Sequence, residues 1–488
     1  MTAFDPAAFV MLVALIGLVI LVASLASGGA ERVGIPMLVV FLGIGTLLGP
    51  HGLGLLDFGA GSLTLGAIAT LCLVLVLFTD AVSVDTGELK AHLRLATIVL
   101  GPGALVPALL TGLAGWKLLG LPPAAAAILG AALASTDPVM MRGLLRLAEV
   151  PAAARQALRI ESGLNDAALL PIVLIAMGLL APPGGSPARE IAGQLGAVFL
   201  LGPLAGALVG WVAVRALVWI RGWMGMRRDY ESLYVLGIAF TAYAAAEALG
   251  GSGFMAAFAA GLIVASMDVE LCDCFHEYGE ATAEMLLLLC FIAFGASLIW
   301  TGLSVLDGRT LLFAAVALLG RALVLQLALP RRGLDPMARR LIVWFGPRAL
   351  SSLLLVFLPV FAGIPGSERL IPPVSLVVLL SVAGHGGLLV WATHGLKRRE
   401  EREAIPAAAA ALPGSKLVAH PELITFEELD ALRRSGAALR ILDVRTERGY
   451  ATSKLRAASA IRVLPTRPVQ SAASLALPRE EWLVAYCS

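Results

Sequence analysis

Between residues 6 and 395 this sequence is a succession of apolar runs, most of them long enough to cross a bilayer, parted by short stretches of Gly, Pro and charge. Crossing hydrocarbon takes about 20 mostly apolar residues per helix. In that medium every backbone N–H and C=O must find its partner inside the protein, so runs of this kind fold as helices. Composition agrees: 59% of the residues are hydrophobic and 14% charged, with mean hydropathy +0.88, outside the balance of a soluble domain. The expected fold class is an all-α polytopic membrane protein of about thirteen spans. They are placed at 6–28, 34–50, 62–79, 95–116, 121–147, 152–181, 191–220, 231–249, 252–267, 284–301, 310–329, 339–361 and 372–395.

Loop charge orients these spans. The odd-numbered connections carry Arg32, then Lys90 and Arg94, then Arg142, Arg146, Arg155 and Arg159, then Arg221, Arg227 and Arg228, then Arg331, Arg332, Arg339 and Arg340, with Lys397, Arg398 and Arg399 after the last span. The even-numbered ones carry little beyond Lys117, Arg189, Arg309 and Arg369. The odd side is therefore read as cytoplasmic, with the N-terminus outside and the C-terminal region inside a plasma (inner) membrane. One odd connection dissents: 268–284 holds Asp268, Glu270, Asp273, Glu277, Glu280 and Glu284 and no basic residue. Three readings stay open for it: an acidic vestibule that concentrates cations, a solvated amphipathic turn, or a miscounted helix. The opening MTAFDPAAFVML has no basic region ahead of its apolar run, so a removed signal peptide is not expected.

A net charge of +2 points to neither nucleic acid nor an acidic substrate. The five cysteines suggest no disulfide framework. Cys272, Cys274 and His276 have poor spacing for zinc, so no metal centre is expected from them.

Charged groups at membrane depth are costly, and they mark ion pathways or paired structural sites. Asp80 and Asp85 follow the third span, Asp137 sits in the fifth, Glu161 and Asp166 in the sixth, Arg321 in the eleventh and Arg348 in the twelfth. In the sixth span, Ala167 to Leu180 is an unbroken apolar stretch of about 21 Å, which sets Asp166 near the midplane or somewhat to its cytoplasmic side. Glu161 and Asn165 are four apart and share a helix face, while Asp166 points about 140° from Glu161. Pro138 follows Asp137 and should break the fifth span beside that carboxylate. Gly346 and Pro347 predict a second interruption before Arg348. Paired interruptions of this kind suit an inverted repeat and an ion site between half-helices. Arg321 and Arg348 are expected to pair with carboxylates, and Glu161 with either of them makes a structural clamp.

Thr136-Asp137-Pro138, the run Glu161-Ser162-Gly163-Leu164-Asn165-Asp166, and Gly346-Pro347-Arg348-Ala349 together resemble the sodium/proton exchanger branch of the monovalent cation/proton antiporters over residues 1–396. That resemblance implies inverted repeats, two discontinuous crossing helices and a homodimer. It makes Asp166 the carboxylate that takes a cation or a proton in alternation, with Ser162 and the Thr136 backbone carbonyl as further ligands of Na⁺, Li⁺ or K⁺. It places Asn165 where electrogenic relatives carry a second aspartate, which implies one-for-one exchange. It pairs Glu161 with Arg348, sets Asp137 at the crossing of the broken helices, and adds Arg321 as a further required base. No cofactor is implied beyond the transported ions.

An Ala- and Pro-rich linker at 397–416 leads to a soluble α/β pattern at 417–488. Thr425 and Glu428 form a capping box for a helix, and ALRILDV reads as a strand. Leu442-Asp443-Val444-Arg445-Thr446, Tyr450, Ile461 and Ala485-Tyr486-Cys487 resemble a rhodanese-like domain. Lys454-Leu455-Arg456 departs from that family's pattern, and no loop follows Cys487 to cradle a persulfide, so the domain is expected to be incomplete and inactive. A membrane-tethered sulfurtransferase or redox sensor is the competing reading for the chain, and a channel is a third.

Overall fold

The apolar runs are helical in the computed structural model. The residues described are 10, 13–18, 20–22, 25, 37–56, 59, 61–84, 92–137, 140, 141, 145, 150–180, 187–223, 228–267, 269–330, 334–387, 426–436, 438–445, 457, 459–463, 475 and 482–486. At 187–190, 222, 228, 229, 231, 232, 269–278, 280, 426–428 and 431 only the backbone is described. Contacts divide the chain into two units, Met1–Arg399 and Glu400–Ser488.

In the first unit α1 is Met37–Leu48, α2 Leu63–Val82, α3 Leu93–Leu118, α4 Pro123–Ala134, α5 Ala152–Leu180, α6 Ile191–Arg221 and α7 Arg228–Ala248. They are followed by α8 Gly253–Met267, α9 Val269–Ala296, α10 Gly308–Ala328, α11 Pro336–Trp344, α12 Leu350–Phe361 and α13 Ser367–Gly387. Among the described residues six of these (α2, α3, α5, α6, α10 and α13) are long and apolar enough to cross a membrane, and Ala281–Ala296 with Leu298–Val305, bent by 46°, makes a seventh. Other expected spans coincide with shorter apolar helices, such as α1, α8 and Leu233–Ala248. Most of the first expected span lies outside the described residues.

Two expected spans are interrupted. The one placed at 121–147 stops being helical at Ala134, and Ser135 turns extended (φ −63°, ψ 137°). The one placed at 339–361 is divided by a non-helical stretch, 345–349, between α11 and α12. In an α-helix the N–H of residue i bonds the carbonyl of residue i−4. Pro138 and Pro347 lack that N–H, so the carbonyls of Ala134 and Val343 lose their helical donors. The acidic stretch read as a connection is helical: 269–296 is one continuous helix, so the acidic residues after Asp268 lie on a helix that runs into the apolar span beginning at Ala281. Glu, Leu, Cys, Met and Ala all tolerate helix, and carboxylates near a helix N-terminus are favoured by the dipole. The side chains of Cys272, Cys274 and His276 lie outside the description.

Packing uses small residues where backbones meet, as expected where lipid cannot drive helices together hydrophobically. Gly45 and Gly49 of α1 lie against the backbone of Ile292 and Ala296 in α9, and Gly295 of α9 lies against Leu42. Gly202, Gly206 and Gly210 of α6 approach Ser252, just before α8, and Ala256 and Ala260 within it in the same way. The interior is filled by Phe41, Phe78, Phe291, Phe294, Phe313 and Phe357, all fully buried. Leu105, Leu109 and Leu113 of α3 and Leu200, Leu204 and Leu208 of α6 recur every fourth residue on exposed faces, suited to lipid.

The second unit has α14, Phe426–Arg434, and a parallel sheet of order β2-β1-β3, with β1 Leu439–Asp443, β2 Ile461–Arg462 and β3 Trp482–Tyr486. Asp443 at the end of the central strand accepts from Arg445 Nε (2.9 Å) and Nη2 (2.6 Å) and from the Tyr486 hydroxyl (2.8 Å). Tyr450, Lys454, Leu455, Arg456 and Cys487 lie outside the described residues. Hydrogen bonds from Arg445 and then from Tyr486 hold the Asp443 carboxyl well below the usual carboxylate range. A depressed folded value means the stabilisation is present above the ordinary carboxylate value of about 4 and drains away as pH falls below it. Amide exchange across β1 should therefore accelerate as pH drops through that region, beyond the intrinsic exchange rate. Asp443→Asn should already exchange fast at neutral pH.

Candidate ion-binding site

The two interruptions meet. The Asp137 N–H donates to the Pro347 carbonyl at 3.0 Å, and the Leu350 N–H at the start of α12 donates to Asp137 Oδ2 at 2.9 Å. Asp137 thus caps the positive end of α12 from the opposite break. Arg348 does the converse for the negative end of α4: its Nη1 donates to the Ala134 carbonyl at 2.5 Å and to the Ser135 carbonyl at 2.8 Å. The Ala134 carbonyl is the one that Pro138 deprives of its helical donor. Its counterpart, the Val343 carbonyl deprived by Pro347, is bonded by Arg321 Nη1 at 3.1 Å. Gly346 permits that approach, because a side chain there would meet the Arg321 guanidinium.

Helix α5 ties both breaks together. Arg321 Nε and Nη2 form a two-pronged pair with Glu161 Oε1 and Oε2 at 2.6 and 2.5 Å. One turn on, Asn165 Nδ2 donates to the Ala134 carbonyl at 3.2 Å and to Thr136 Oγ1 at 3.3 Å. Asp166 is directed elsewhere and accepts from the Ser135 hydroxyl. Among the described residues its Oδ2 has no hydrogen-bond partner, and the same holds for Asn165 Oδ1.

Each anticipated residue can now be placed. Asp137, Glu161, Asn165, Asp166, Arg321, Arg348, Thr136 and Ser162 are all buried, and the contacts above link all of them except Ser162. Asp137 does lie at the crossing. The clamp on Glu161 is a correction to what the resemblance implied, since its partner is Arg321 of α10, not Arg348. Arg348 sits within the second break, where its Nη1 bonds the two carbonyls that end α4, while among the described residues Arg321 alone reaches the Glu161 carboxylate. Thr136 offers its hydroxyl oxygen to Asn165, and the Ser162 hydroxyl donates to the Arg159 carbonyl at 3.2 Å. Asp80 is half-buried in α2, and Asp85 lies outside the described residues.

Sequence reasoning missed several hydroxyls. Ser135 stood inside the noted interruption but was given no role. Ser351 faces Asp166, and Ser381 accepts from the Arg348 N–H at 2.7 Å with His385 Nδ1 at 3.2 Å from it. The available signal was three serines at membrane depth beside or opposite the second proline.

A mostly helical membrane fold with two interrupted helices crossing beside a buried carboxylate defines a transporter, not an enzyme. The chain belongs to the family described as sodium/hydrogen exchanger, transmembrane, which matches residues 17–394. It is 26% identical over 399 residues to a K(+)/H(+) antiporter NhaP of Alkalimonas amylolytica, covering 80% of this chain and 68% of that one. It is 27% identical over 381 residues to a K(+)/H(+) antiporter NhaP2 of a Shewanella species (strain MR-4), covering 76% and 64%. The chain thus spans about two thirds of the length of these curated relatives. Its fold is similar to that of the sodium proton antiporter MjNhaP1 of Methanocaldococcus jannaschii, solved at pH 8, with TM-score 0.64, 20% identity and coverage of 78% and 99%.

Removing one partner of the Arg321–Glu161 pair leaves a buried charge uncompensated, and removing Arg321 also frees the Val343 carbonyl. Arg321→Ala or Glu161→Ala should each cost about 3–5 kcal/mol, read as a fall in thermal unfolding temperature of the detergent-solubilised protein. An Arg321→Met, Glu161→Leu double variant should lose less than the sum of the two alanine variants.

Proposed function

We propose that this chain exchanges one proton for one monovalent cation by alternating access, with Asp166 holding the two in turn. The observation that carries the reading is a charge count. Among the described residues of the first unit the buried charged side chains are Asp137, Glu161, Asp166, Arg321 and Arg348. Three carboxylates against two guanidiniums leave one negative charge, and a single bound H⁺ or monovalent cation cancels it. Of the three, Glu161 is paired with Arg321 and Asp137 caps α12, so Asp166 is the one left with an open oxygen.

A site that is neutral when loaded and charged when empty crosses the membrane barrier far more easily loaded. That asymmetry makes exchange obligatory, because the protein switches sides only with one ion or the other aboard. Asn165 adds no charge, which keeps the exchange electroneutral, and its bonds to Ala134 and Thr136 hold the neighbouring carboxylate in place. Ser162 and the Thr136 carbonyl complete the cation's oxygen shell in this reading. Na⁺ is the cation favoured by the family resemblance, with Li⁺ as an alternative. The relatives named as K(+)/H(+) antiporters bring K⁺ forward beside it.

The transporter domain is taken as 1–396, with thirteen spans, two of them the broken α4 and α11–α12 spans. It sits in the plasma membrane with its N-terminus outside and its C-terminal unit in the cytoplasm, and functions as a homodimer in pH and cation homeostasis. The unit at 417–488, joined through the linker 397–416, is a degenerate or truncated rhodanese-like appendage.

Asp166→Asn fixes the site in a neutral state. In inverted vesicles the variant should show no pH change on addition of Na⁺, Li⁺ or K⁺ where wild type does, while remaining folded and membrane-inserted. Persisting cation-dependent proton flux in the variant would rule Asp166 out as the exchange site. Wild-type exchange should also be insensitive to an imposed membrane potential.

A further inference from the structure

Two hydroxyls beside Asp166 in the structure are additional to those that the family resemblance supplies. The Ser162 hydroxyl donates to the Arg159 carbonyl of its own helix, which leaves its lone pairs available. Ser135 donates to Asp166 Oδ1, and the Ser351 hydroxyl faces the same carboxylate. Both serines are buried, at 0% and 5% exposure. They come from opposite interruptions: Ser135 is the residue at which α4 ends, and Ser351 lies in the first turn of α12.

We propose that Ser135 and Ser351 are ligands of the transported cation and set its selectivity, one hydroxyl coming from each half of the crossing. A hydroxyl carries one donor and two lone pairs. Toward an empty, ionised carboxylate it turns its proton inward and satisfies the charge. Toward a cation it turns the proton away and presents a lone pair, with no movement of the backbone. The same two side chains therefore serve the empty and the cation-loaded states.

Among the described residues Asp166 Oδ2 is buried without a hydrogen-bond partner, and a buried oxygen left in that condition favours any cation or donor that fills it. The spacing between the two serines is held by the crossing itself, through the Asp137 N–H to Pro347 carbonyl bond and the Leu350 N–H to Asp137 bond. Cations that differ in radius and hydration are distinguished by the size and stiffness of such a cage.

This inference rests on the antiporter reading, and the experiment separates the two. Exchange is measured in inverted vesicles with Na⁺, K⁺ and Li⁺ for wild type, Ser135→Ala, Ser351→Ala, and the corresponding threonine variants. Each alanine should raise the half-saturating concentration of the preferred cation roughly tenfold, the loss of one favourable contact, and change the ratio among the three cations while altering the maximal rate far less. Threonine keeps the hydroxyl and should return the affinity to near wild type. A second readout, independent of turnover, is the cation-induced rise in unfolding temperature of the detergent-solubilised full chain, which should vanish in the Ser135→Ala, Ser351→Ala double variant. Alanine variants with wild-type affinity and wild-type cation ratios overturn the proposal, and so does a loss that threonine leaves unrepaired. A wild type that moves no protons against any of the three cations overturns the antiporter reading beneath it.

Discussion

A carbonyl released by a proline inside a bilayer must be bonded by something, and the architecture around Asp166 follows from that requirement. Water is absent from hydrocarbon, and an unpaired backbone group there costs several kcal/mol. Two prolines release two carbonyls, at Ala134 and Val343, and an arginine meets each: Arg348 at the first, Arg321 at the second. A neutral donor would serve the carbonyl, but an arginine also brings a positive charge to membrane depth. That charge needs carboxylates nearby. Glu161 answers Arg321 directly, and Asp137 spends its charge on the N-terminus of α12. Asp166 is the carboxylate left over.

Helix α5 is what makes the arrangement one structure. Glu161 reaches the second break through Arg321, and Asn165 reaches the first through Ala134 and Thr136. These two residues lie four apart on one face, so a single helix edge fastens both interruptions. Asp166 is rotated off that edge and is spared from bracing. Local geometry thus separates the side chains that hold the site from the one that is available to change its state.

Much of this was legible in the sequence, for physical reasons that can be named. Prolines at 138 and 347 announce breaks whatever surrounds them, and the i−4 rule even names the carbonyls they release. The shared face of Glu161 and Asn165, with Asp166 off it, follows from helical spacing alone. Pairing between distant segments was not legible: Glu161 and Arg321 are 160 residues apart, and nothing local distinguishes Arg321 from Arg348 as the partner. The resemblance favours Arg348, whose Nη1 instead bonds the carbonyls that end α4. Ser135 and Ser351 were hidden because serine is common in transmembrane helices and its role depends on which neighbour it faces. The three readings of the acidic stretch after Asp268 stay undecided by charge density alone, whereas its backbone is helical as the first turns of α9.

The glycine and alanine contacts between α6 and α8 bear on how such a molecule can move. Gly202, Gly206 and Gly210 face Ser252, Ala256 and Ala260 with almost no side chain between the backbones. A surface made of interlocked leucines resists sliding, because every knob must leave its hole. Here the surface is nearly smooth, and displacement along it meets a shallow energy profile. The cross-braced breaks are stiff and this seam is slippery, so mechanical strain imposed on the membrane domain should be relieved at the seam before it reaches the crossing.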